Sequence, residues 1–265
     1  MDIKPLSETD INSLTELQPL DWPDILPLFN FYVSSPYCFP VKVIIDTKIA
    51  GVGTSIIHNE ISWLAHIIVH KNCRNHGIGR KITQELIELS KSKNCQTLYL
   101  IATDMGAPVY EKVGFETETE YLFFKDLKIE RNKLSVNVVP FEEHYKEQIR
   151  SLDKKITGEN RFFQLENYLQ NALIFQENNF VQGYYLPTFG EGLIIAGNES
   201  AGIELIQIRL QKNDKATFPI DNTSAVQFLY KHNFMEYKHA KRMRLGLKRE
   251  WLPSQIYNRA GGNIG

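Results

Sequence analysis

The stretch Trp63–Glu88, WLAHIIVHKNCRNHGIGRKITQELIE, contains an apolar segment, a glycine-containing turn and an amphipathic segment, in that order. Trp63–Val69 has the length and composition of a buried strand, and from Ile78 onward the apolar residues recur at helical spacing. The turn between them carries Arg-x-x-Gly-x-Gly, from Arg74 to Gly79. Because the first N–H groups of a helix lack intrahelical partners and carry partial positive charge, this turn is predicted to bind phosphate.

A second strand and a short helix are predicted directly after this helix. Thr97–Ala102 (TLYLIA) is apolar, and Asp104–Phe115 (DMGAPVYEKVGF) ends in Tyr-x-x-x-Gly-Phe, with the tyrosine at position 110. A strand, a phosphate turn, a helix, a parallel strand and a tyrosine-bearing helix together resemble the GNAT superfamily of acyl-CoA-dependent N-acyltransferases. The resemblance implies an α/β fold of the α+β mixed-sheet kind, with a mostly antiparallel sheet flanked by helices.

Three antiparallel strands are predicted before the phosphate turn, in segments rich in β-branched residues: Pro40–Ile45, Ile49–Ile57 and Ile61–Val69. The resemblance implies that the third strand diverges from Thr97–Ala102 and opens a cleft for the pantetheine arm of acetyl-CoA. It also implies that the aromatic-rich segment 21–35, with Trp22, Phe29, Phe31 and Tyr32, forms one wall of the acceptor site.

The resemblance also implies a binding site for acetyl-CoA, expected as a co-substrate, and no metal is expected. Gly77 and Gly79 have no Cβ and would let the diphosphate approach the backbone, while two arginines add charge nearby. Backbone groups at the end of the strand would pair with the pantetheine arm as another strand would. The residues expected to bind acetyl-CoA are Ile67, Ile68, Val69, Arg74, Asn75, His76, Gly77, Ile78, Gly79 and Arg80.

Catalytic roles follow from the same resemblance. Tyr110 is expected to be the general acid that protonates the departing thiolate, since a phenol is protonated at neutral pH. The backbone N–H of Ile68 is expected to stabilise the oxyanion. The proton acceptor for the amine is left open among His66, Glu60 and Glu118, with His66 preferred because of its place on the strand beside the cleft.

The second half of the chain repeats the order of predicted elements after about 130 residues, which indicates an internal duplication. We therefore predict two tandem GNAT-like domains, residues 1–130 and 131–265. In the second copy Ala196–Gly202 replaces the phosphate turn, and Glu199 stands where an anion would bind. A carboxylate there would repel a diphosphate, so only the first domain is expected to bind acetyl-CoA.

Composition excludes several other classes of protein. The 265 residues are 43% hydrophobic and 23% charged, with a net charge of −1, which implies no polyanionic partner. No apolar run reaches the length of a membrane span, and the three cysteines suggest neither a disulfide framework nor a zinc site. The N-terminus lacks the pattern of a signal peptide. We expect a cytoplasmic monomer or homodimer that binds neither nucleic acid nor membrane.

The predicted function is transfer of an acetyl group from acetyl-CoA directly to the primary amine of a small molecule. Two alternatives stay open at this point. One is a non-catalytic protein that binds or senses acyl-CoA, and the other is an N-acetyltransferase of proteins or peptides. The glycine-rich terminus Ala260–Gly265 is either a frayed end or a loop laid against the other domain.

Overall fold

The computed structural model of the protein describes residues 2–20, 22–129 and 135–264, and the boundary predicted at residue 130 lies outside them. The chain forms two compact units. The first comprises the residues up to Thr117 together with Met243–Lys248 and Gly262–Ile264, and the second comprises Glu118–Arg242 and Arg249–Gly261. Each unit is therefore built from segments that are far apart in the sequence.

The first unit contains a sheet in which β1 to β5 lie in chain order. All neighbouring pairs are antiparallel except β4 and β5, which are parallel. The elements are β1 (Asp2–Pro5), a 3₁₀ helix (Glu8–Leu17), α1 (Leu26–Ser34), β2 (Cys38–Ile45), β3 (Lys48–His58), β4 (Ile61–Val69), a 3₁₀ turn (Lys71–Cys73), α2 (Ile78–Ser92), β5 (Thr97–Ala102), α3 (Ala107–Glu111) and the start of β6 (Glu116–Phe124).

The two faces of this sheet carry different apolar cores. On one face α2 packs against β3, with Ile78, Ile82 and Leu86 buried on the helix. The helix lies so close to β3 that there is no room for a side chain at Gly53, where a Cβ would lie only 2.7 Å from Ile82 Cγ2. The opposite face is covered by α1 and the first 3₁₀ helix, with Phe29 and other buried residues between the layers. This packing fixes the start of α2 close behind the end of β4.

The second unit repeats the order of elements of the first. The elements are β7 (Val138–Pro140), a 3₁₀ turn (Glu143–Tyr145), α4 (Lys146–Thr157), α5 (Phe162–Leu165), a 3₁₀ helix (Glu166–Asn171), β8 (Leu173–Glu177), β9 (Phe180–Leu186), β10 (Leu193–Ala196), α6 (Glu199–Leu210), β11 (Ala216–Pro219), α7 (Thr223–Lys231), β12 (Lys238–Gly246), a 3₁₀ turn (Pro253–Gln255) and β13 (Ile256–Asn258). From β7 to β12 these elements follow one another as β1 to β6 do. The predicted tandem of two mixed α/β units is confirmed.

One strand of the second unit was not predicted from the sequence. β13 pairs antiparallel with β10, through Ile194↔Asn258 and Ile195↔Ile256. On its other side the N–H of Arg259 donates to the carbonyl of Thr217 in β11, at 2.8 Å. A short strand from the end of the chain therefore lies between β10 and β11.

Candidate active site

A gap opens beside β4 in the first unit. The parallel pairing of β4 with β5 ends at Trp63↔Tyr99, whereas its antiparallel pairing with β3 continues to Val69↔Gly51. Beyond Trp63 the backbone of β4 therefore has β3 on one side and no parallel neighbour on the other. This is the divergence of strands that the GNAT resemblance implies.

A β-bulge interrupts β4 at the same place. The register with β3 shifts between Val52 and Thr54, and His66 has a positive φ of 49°. A bulge places an extra residue opposite its partner strand and turns its side chain away from regular alternation. His66 therefore lies on the same face as its neighbour Ala65, towards Phe29.

The register also decides which amides of β4 face the gap. The N–H of His70 donates to the carbonyl of Ala50, at 2.9 Å. Because hydrogen-bonded and non-hydrogen-bonded pairs alternate along antiparallel strands, the N–H of Ile68 points towards β3 and that of Val69 points away from it. The oxyanion role expected of Ile68 stays a prediction, and the register favours the amide of Val69.

The phosphate turn leads into α2 with its backbone open. Gly77 is the N-cap with φ 77°, and a Cβ built on it would meet nothing within 4 Å. The first bond of the helix runs from Lys81 N to Gly77 O at 3.0 Å, so the N–H groups of residues 78–80 precede it. Because the first N–H groups of a helix lack intrahelical partners, the start of this 15-residue helix forms a site that attracts anions.

The polar side chains of the turn support its shape. Arg74 Nε donates to the carbonyl of Val69 at 3.3 Å, and His76 Nδ1 donates to the carbonyl of Arg74 at 2.7 Å. Asn75 has a left-handed backbone, with φ 64°. Arg74 and Arg80 are both exposed, so each adds a positive charge near the N–H groups at the start of α2. The ring of His76 is engaged with the turn itself.

Tyr110 borders the core that α2 forms with the sheet. Its ring is half-buried and contacts Phe115 edge to face, with the ring centroids 6.1 Å apart. Burial raises the pKa of Tyr110 to about 12, so the phenol keeps its hydrogen at neutral pH. A Cβ on Gly106 would approach Tyr110 Cε2 to 3.0 Å, which shows how closely the backbone lies against the ring.

His66 lies on the opposite face of the sheet in an aromatic cluster. Its ring centroid is 5.7 Å from that of Trp22, 5.9 Å from that of Phe29 and 5.6 Å from that of Tyr32. The Tyr32 hydroxyl lies 3.0 Å from His66 Nδ1. Burial lowers the pKa of His66 to about 4, so the ring is neutral at physiological pH. The aromatic segment predicted to wall the acceptor site thus packs around His66.

The two carboxylates considered as bases lie apart from this cluster. Glu60 precedes the start of β4, about 20 Å along an extended chain from His66, and accepts a hydrogen bond from Gln96 Nε2 at 3.1 Å. Glu118 belongs to the second unit, where Arg242 Nε donates to its carboxylate at 3.1 Å. Glu60 therefore lies in the same unit as His66 but at the far end of β4, and Glu118 belongs to the other unit.

The corresponding region of the second unit is filled by the chain itself. α6 begins at Glu199, and the side chain of its N-cap Asn198 accepts a hydrogen bond from Ala201 N at 2.9 Å. The Tyr257 ring packs directly on Gly202, where a Cβ would overlap it. Glu199 lies in the first turn of this helix, so a negative charge stands at the start of α6.

Buried polar contacts hold β13 in this position. The side chain of Asn258 is fully buried, accepts a hydrogen bond from Thr217 N at 2.9 Å and donates to the carbonyl of Gly192 at 2.8 Å. Arg259 forms a bidentate ion pair with Glu191, at 2.6 and 3.0 Å. The strand is thus an integral part of the second unit. The short segment gave no periodic signal from which it could have been predicted.

Metal centres and membrane spans are two further kinds of feature on which the described part of the chain bears. No group of three or more histidine, cysteine or acidic side chains there is arranged to hold a metal ion. Within residues 2–20, 22–129 and 135–264, every helix is too short or too polar to cross a bilayer. Cys38, Cys73 and Cys95 are free thiols.

Comparison with known proteins shows which proteins this chain resembles. Residues 8–115 match the Acetyltransferase (GNAT) family. A curated relative, glucosamine 6-phosphate N-acetyltransferase of Trypanosoma brucei brucei, is 24% identical over 135 residues, which cover 43% of this chain and 88% of the relative.

Solved structures share the fold of the whole chain. A Pyrococcus horikoshii protein described as a candidate acetyltransferase has a TM-score of 0.82 at 20% identity and covers 100% of this chain and 95% of its own. A GCN5-related N-acetyltransferase of Sphaerobacter thermophilus has a TM-score of 0.69 at 12% identity, covering 97% and 98%. A tandem GNAT protein from the clavulanic acid biosynthesis pathway has a TM-score of 0.64 at 12% identity, covering 94% and 99%. Residues 8–115 thus resemble GNAT acetyltransferases in sequence, and the chain shares the fold of a tandem GNAT protein.

Proposed function

We propose that the protein transfers an acetyl group from acetyl-CoA directly to the primary amine of a small molecule. The observation that carries this proposal is the open phosphate turn at Gly77, which lies directly after the unpaired edge of β4. The relative from Trypanosoma brucei brucei is named for a small amino sugar phosphate, which supports a small amine as the acceptor.

The acetyl-CoA site is assigned to the first unit. The N–H groups of residues 78–80 would receive the diphosphate, with Arg74 and Arg80 adding charge. The free edge of β4 at residues 67–69 would pair with the pantetheine arm. A strand edge that no longer pairs with β5, followed by an open turn, suits both parts of such a molecule.

The reaction needs two things from the protein, stabilisation of a negatively charged oxygen and a proton for the leaving thiolate. As the neutral amine attacks the thioester carbonyl, a C–N bond forms and the C–S bond breaks, so the carbonyl oxygen must be stabilised while it carries negative charge. The amide of Val69 would serve this purpose. Tyr110, a phenol that is protonated at neutral pH and whose pKa burial raises further, to about 12, would give its proton to the departing thiolate. The proton released by the amine would pass to solvent.

The second unit is proposed to bind no acetyl-CoA. β13 lies between β10 and β11, and Tyr257 covers the start of α6, so the chain itself takes the space that is open in the first unit. We attribute the two units to a duplication with its boundary near residue 130. We expect the enzyme to act in the cytoplasm as a monomer or homodimer, without a metal, nucleic acid or membrane.

Release of free thiol from acetyl-CoA, measured with a panel of amino sugars, polyamines and peptides, tests the proposal. Tyr110→Phe should lower kcat by at least about 100-fold, the scale of a lost general acid, and leave the Kd for CoA unchanged in calorimetry. Tyr168→Phe, which changes a half-buried tyrosine of the second unit, is the matched control and should retain full turnover.

Three results would contradict the proposal. Binding of CoA without thiol release from any amine would favour an acyl-CoA sensor, and acetylation of peptides alone would favour a peptide N-acetyltransferase. Failure to bind CoA at all would exclude both the site and the reaction.

A further inference from the structure

The hydroxyl of Tyr32 connects the C-terminal tail to His66 inside the first unit. Its oxygen lies 3.0 Å from His66 Nδ1 and accepts a hydrogen bond from Asn263 Nδ2 at 3.1 Å. Asn263 lies in Gly262–Ile264, which belongs to the first unit, and Ile264 packs against the core that contains Tyr32. The Tyr32 side chain at the centre of this chain of polar groups is fully buried, whereas His66 and Asn263 are half-buried.

The direction of each hydrogen bond follows from the donors present. An amide nitrogen can only donate, so the Tyr32 oxygen accepts from Asn263. The Tyr32 hydroxyl is buried, and its own hydrogen is satisfied when it donates to His66 Nδ1, which lies 3.0 Å away. A ring nitrogen that accepts a hydrogen bond carries no hydrogen itself. Neutral His66 therefore carries its hydrogen on Nε2.

The surroundings of the ring keep it neutral. Trp22, Phe29 and Tyr32 surround it with aromatic rings, and this burial lowers the pKa of His66 to about 4. A neutral ring with one fixed hydrogen can donate at Nε2 and cannot accept there.

We propose that Asn263 is a positioning residue of the acceptor site, which acts through Tyr32 to hold His66 as a hydrogen-bond donor at Nε2. The role of Asn263 at an acceptor site rests on the proposed function, since the protein has an acceptor only if it transfers an acetyl group. So held, His66 does not take the proton of the attacking amine. It donates to an oxygen of the acceptor, which favours small amines that also carry a hydroxyl, carbonyl or phosphate oxygen.

Nitrogen NMR of the full-length, histidine-labelled protein reads the tautomer without any substrate. His66→Asn identifies the signals of His66 by their loss. In the native protein Nε2 should be protonated and Nδ1 unprotonated. Asn263→Ala removes the donor, so the Tyr32 hydroxyl can rotate and both tautomers should be populated. Asn263→Asp replaces the donor with an acceptor, so the tyrosine hydrogen turns to the carboxylate and the His66 hydrogen should move to Nδ1.

A matched control and a kinetic measurement separate positioning from simple loss of structure. Ile264→Val changes the packing of the same tail but keeps the amide, and its tautomer should match the native one. Asn263→Ala should raise the KM for the acceptor about tenfold, the scale of one lost hydrogen bond, and leave the Kd for CoA unchanged.

A native His66 with its hydrogen on Nδ1 would overturn the inference, as would identical His66 signals in Asn263→Ala, Asn263→Asp and the native protein. Because the NMR samples contain no substrate, these outcomes do not depend on activity. An inverted tautomer in Asn263→Asp combined with no acetyl transfer to any amine would confirm the control of the tautomer and refute the proposed function alone.

Discussion

Burial among aromatic rings couples the charge of His66 to the stability of the fold. Its pKa is about 4 in the folded state, below the value of about 6.5 for an exposed histidine. As the pH falls below about 6.5, the unfolded state takes up the proton first. Stability from this residue is therefore complete above pH 6.5 and is lost progressively towards pH 4, by about 3 kcal/mol.

The variant His66→Asn tests this coupling. Asparagine tolerates the left-handed backbone at this position, where φ is 49°, so the bulge can persist. The Tm of the native protein should fall more steeply than that of His66→Asn as the pH is lowered from 7 to 4.5. His76→Asn, which removes an exposed histidine, should behave like the native protein. Parallel Tm curves for the native protein and His66→Asn would refute the prediction.

The same residue shows how far sequence reasoning reaches. Regular alternation along β4 would put His66 on the face of Leu64, but the bulge turns it to the face of Ala65. The bulge depends on packing against β3, so no local residue pattern announces it. The aromatic wall around Tyr32 was predicted as a segment. Its partner Asn263 was not, because it is 231 positions away in the sequence.

At the scale of elements, the start of α2 offers a way to separate backbone strain from ligand binding. Gly77 has φ 77° and open space around its missing Cβ. Gly77→Ala should cost about 1 kcal/mol of stability, because alanine disfavours this conformation. Gly77→Asn should cost less, since asparagine visits it more readily. Both side chains would extend into the space proposed for the diphosphate, so both should weaken CoA binding in calorimetry.

Gly114→Asn is the matched control for this pair. Gly114 also has a positive φ, of 96°, and the second copy has Asn233 with φ 62° at the corresponding place. The variant should leave CoA affinity unchanged. The affinity for CoA and the free energy of unfolding are compared for Gly77→Ala, Gly77→Asn and Gly114→Asn. If the affinity falls in proportion to the stability in all three, the turn affects binding only through folding, and its assignment as the diphosphate site is wrong.

The packing of Tyr257 on Gly202 predicts a compensating pair of substitutions in the second unit. A Cβ on Gly202 would overlap the tyrosine ring, so Gly202→Ala should destabilise the protein by about 3 kcal/mol. Tyr257→Ala clears that space, and in its presence the added cost of Gly202→Ala should vanish. Urea unfolding of the single and double variants measures the coupling.

Tyr257→Phe is the control for the compensation, because it removes the hydroxyl and keeps the ring. Gly202→Ala should remain costly in its presence. Additive effects of Gly202→Ala and Tyr257→Ala would mean that the ring does not lie on the helix.

The elements themselves were predictable to different degrees. Strands and helices from β2 to β5 follow from apolar periodicity and turn residues, because each strand and α2 is long enough to show its period. β13 has only three residues, Ile256–Asn258, and its place between β10 and β11 depends on the buried contacts of Asn258. Such a strand is specified by tertiary packing and leaves no signal in its own sequence.

At the scale of the whole molecule, the two units do not correspond to the two halves of the sequence. The duplication was visible because the second half repeats the element order of the first. The sequence does not predict that segments near the end of the chain alternate between the units. Met243–Lys248 and Gly262–Ile264 belong to the first unit, and Arg249–Gly261 belongs to the second. In the first unit Thr97 Oγ1 donates to the carbonyl of Leu247 at 2.8 Å, a contact that no local pattern predicts. Residues of the late chain thus complete the sheet that carries the proposed site.

The number of CoA molecules bound by the whole chain tests how the two units divide their roles. Calorimetry should give one molecule per chain for the native protein and one molecule, bound more weakly, for Gly77→Asn, because the open turn occurs at Gly77 and α6 is covered by Tyr257. Two causes could exclude CoA from the second unit: the charge of Glu199, and the volume filled by β13. Glu199→Gln removes the charge alone, and the stoichiometry should remain one, because the strand still lies between β10 and β11. A rise towards two with Glu199→Gln would mean that repulsion by the carboxylate, and not the inserted strand, keeps the second unit empty.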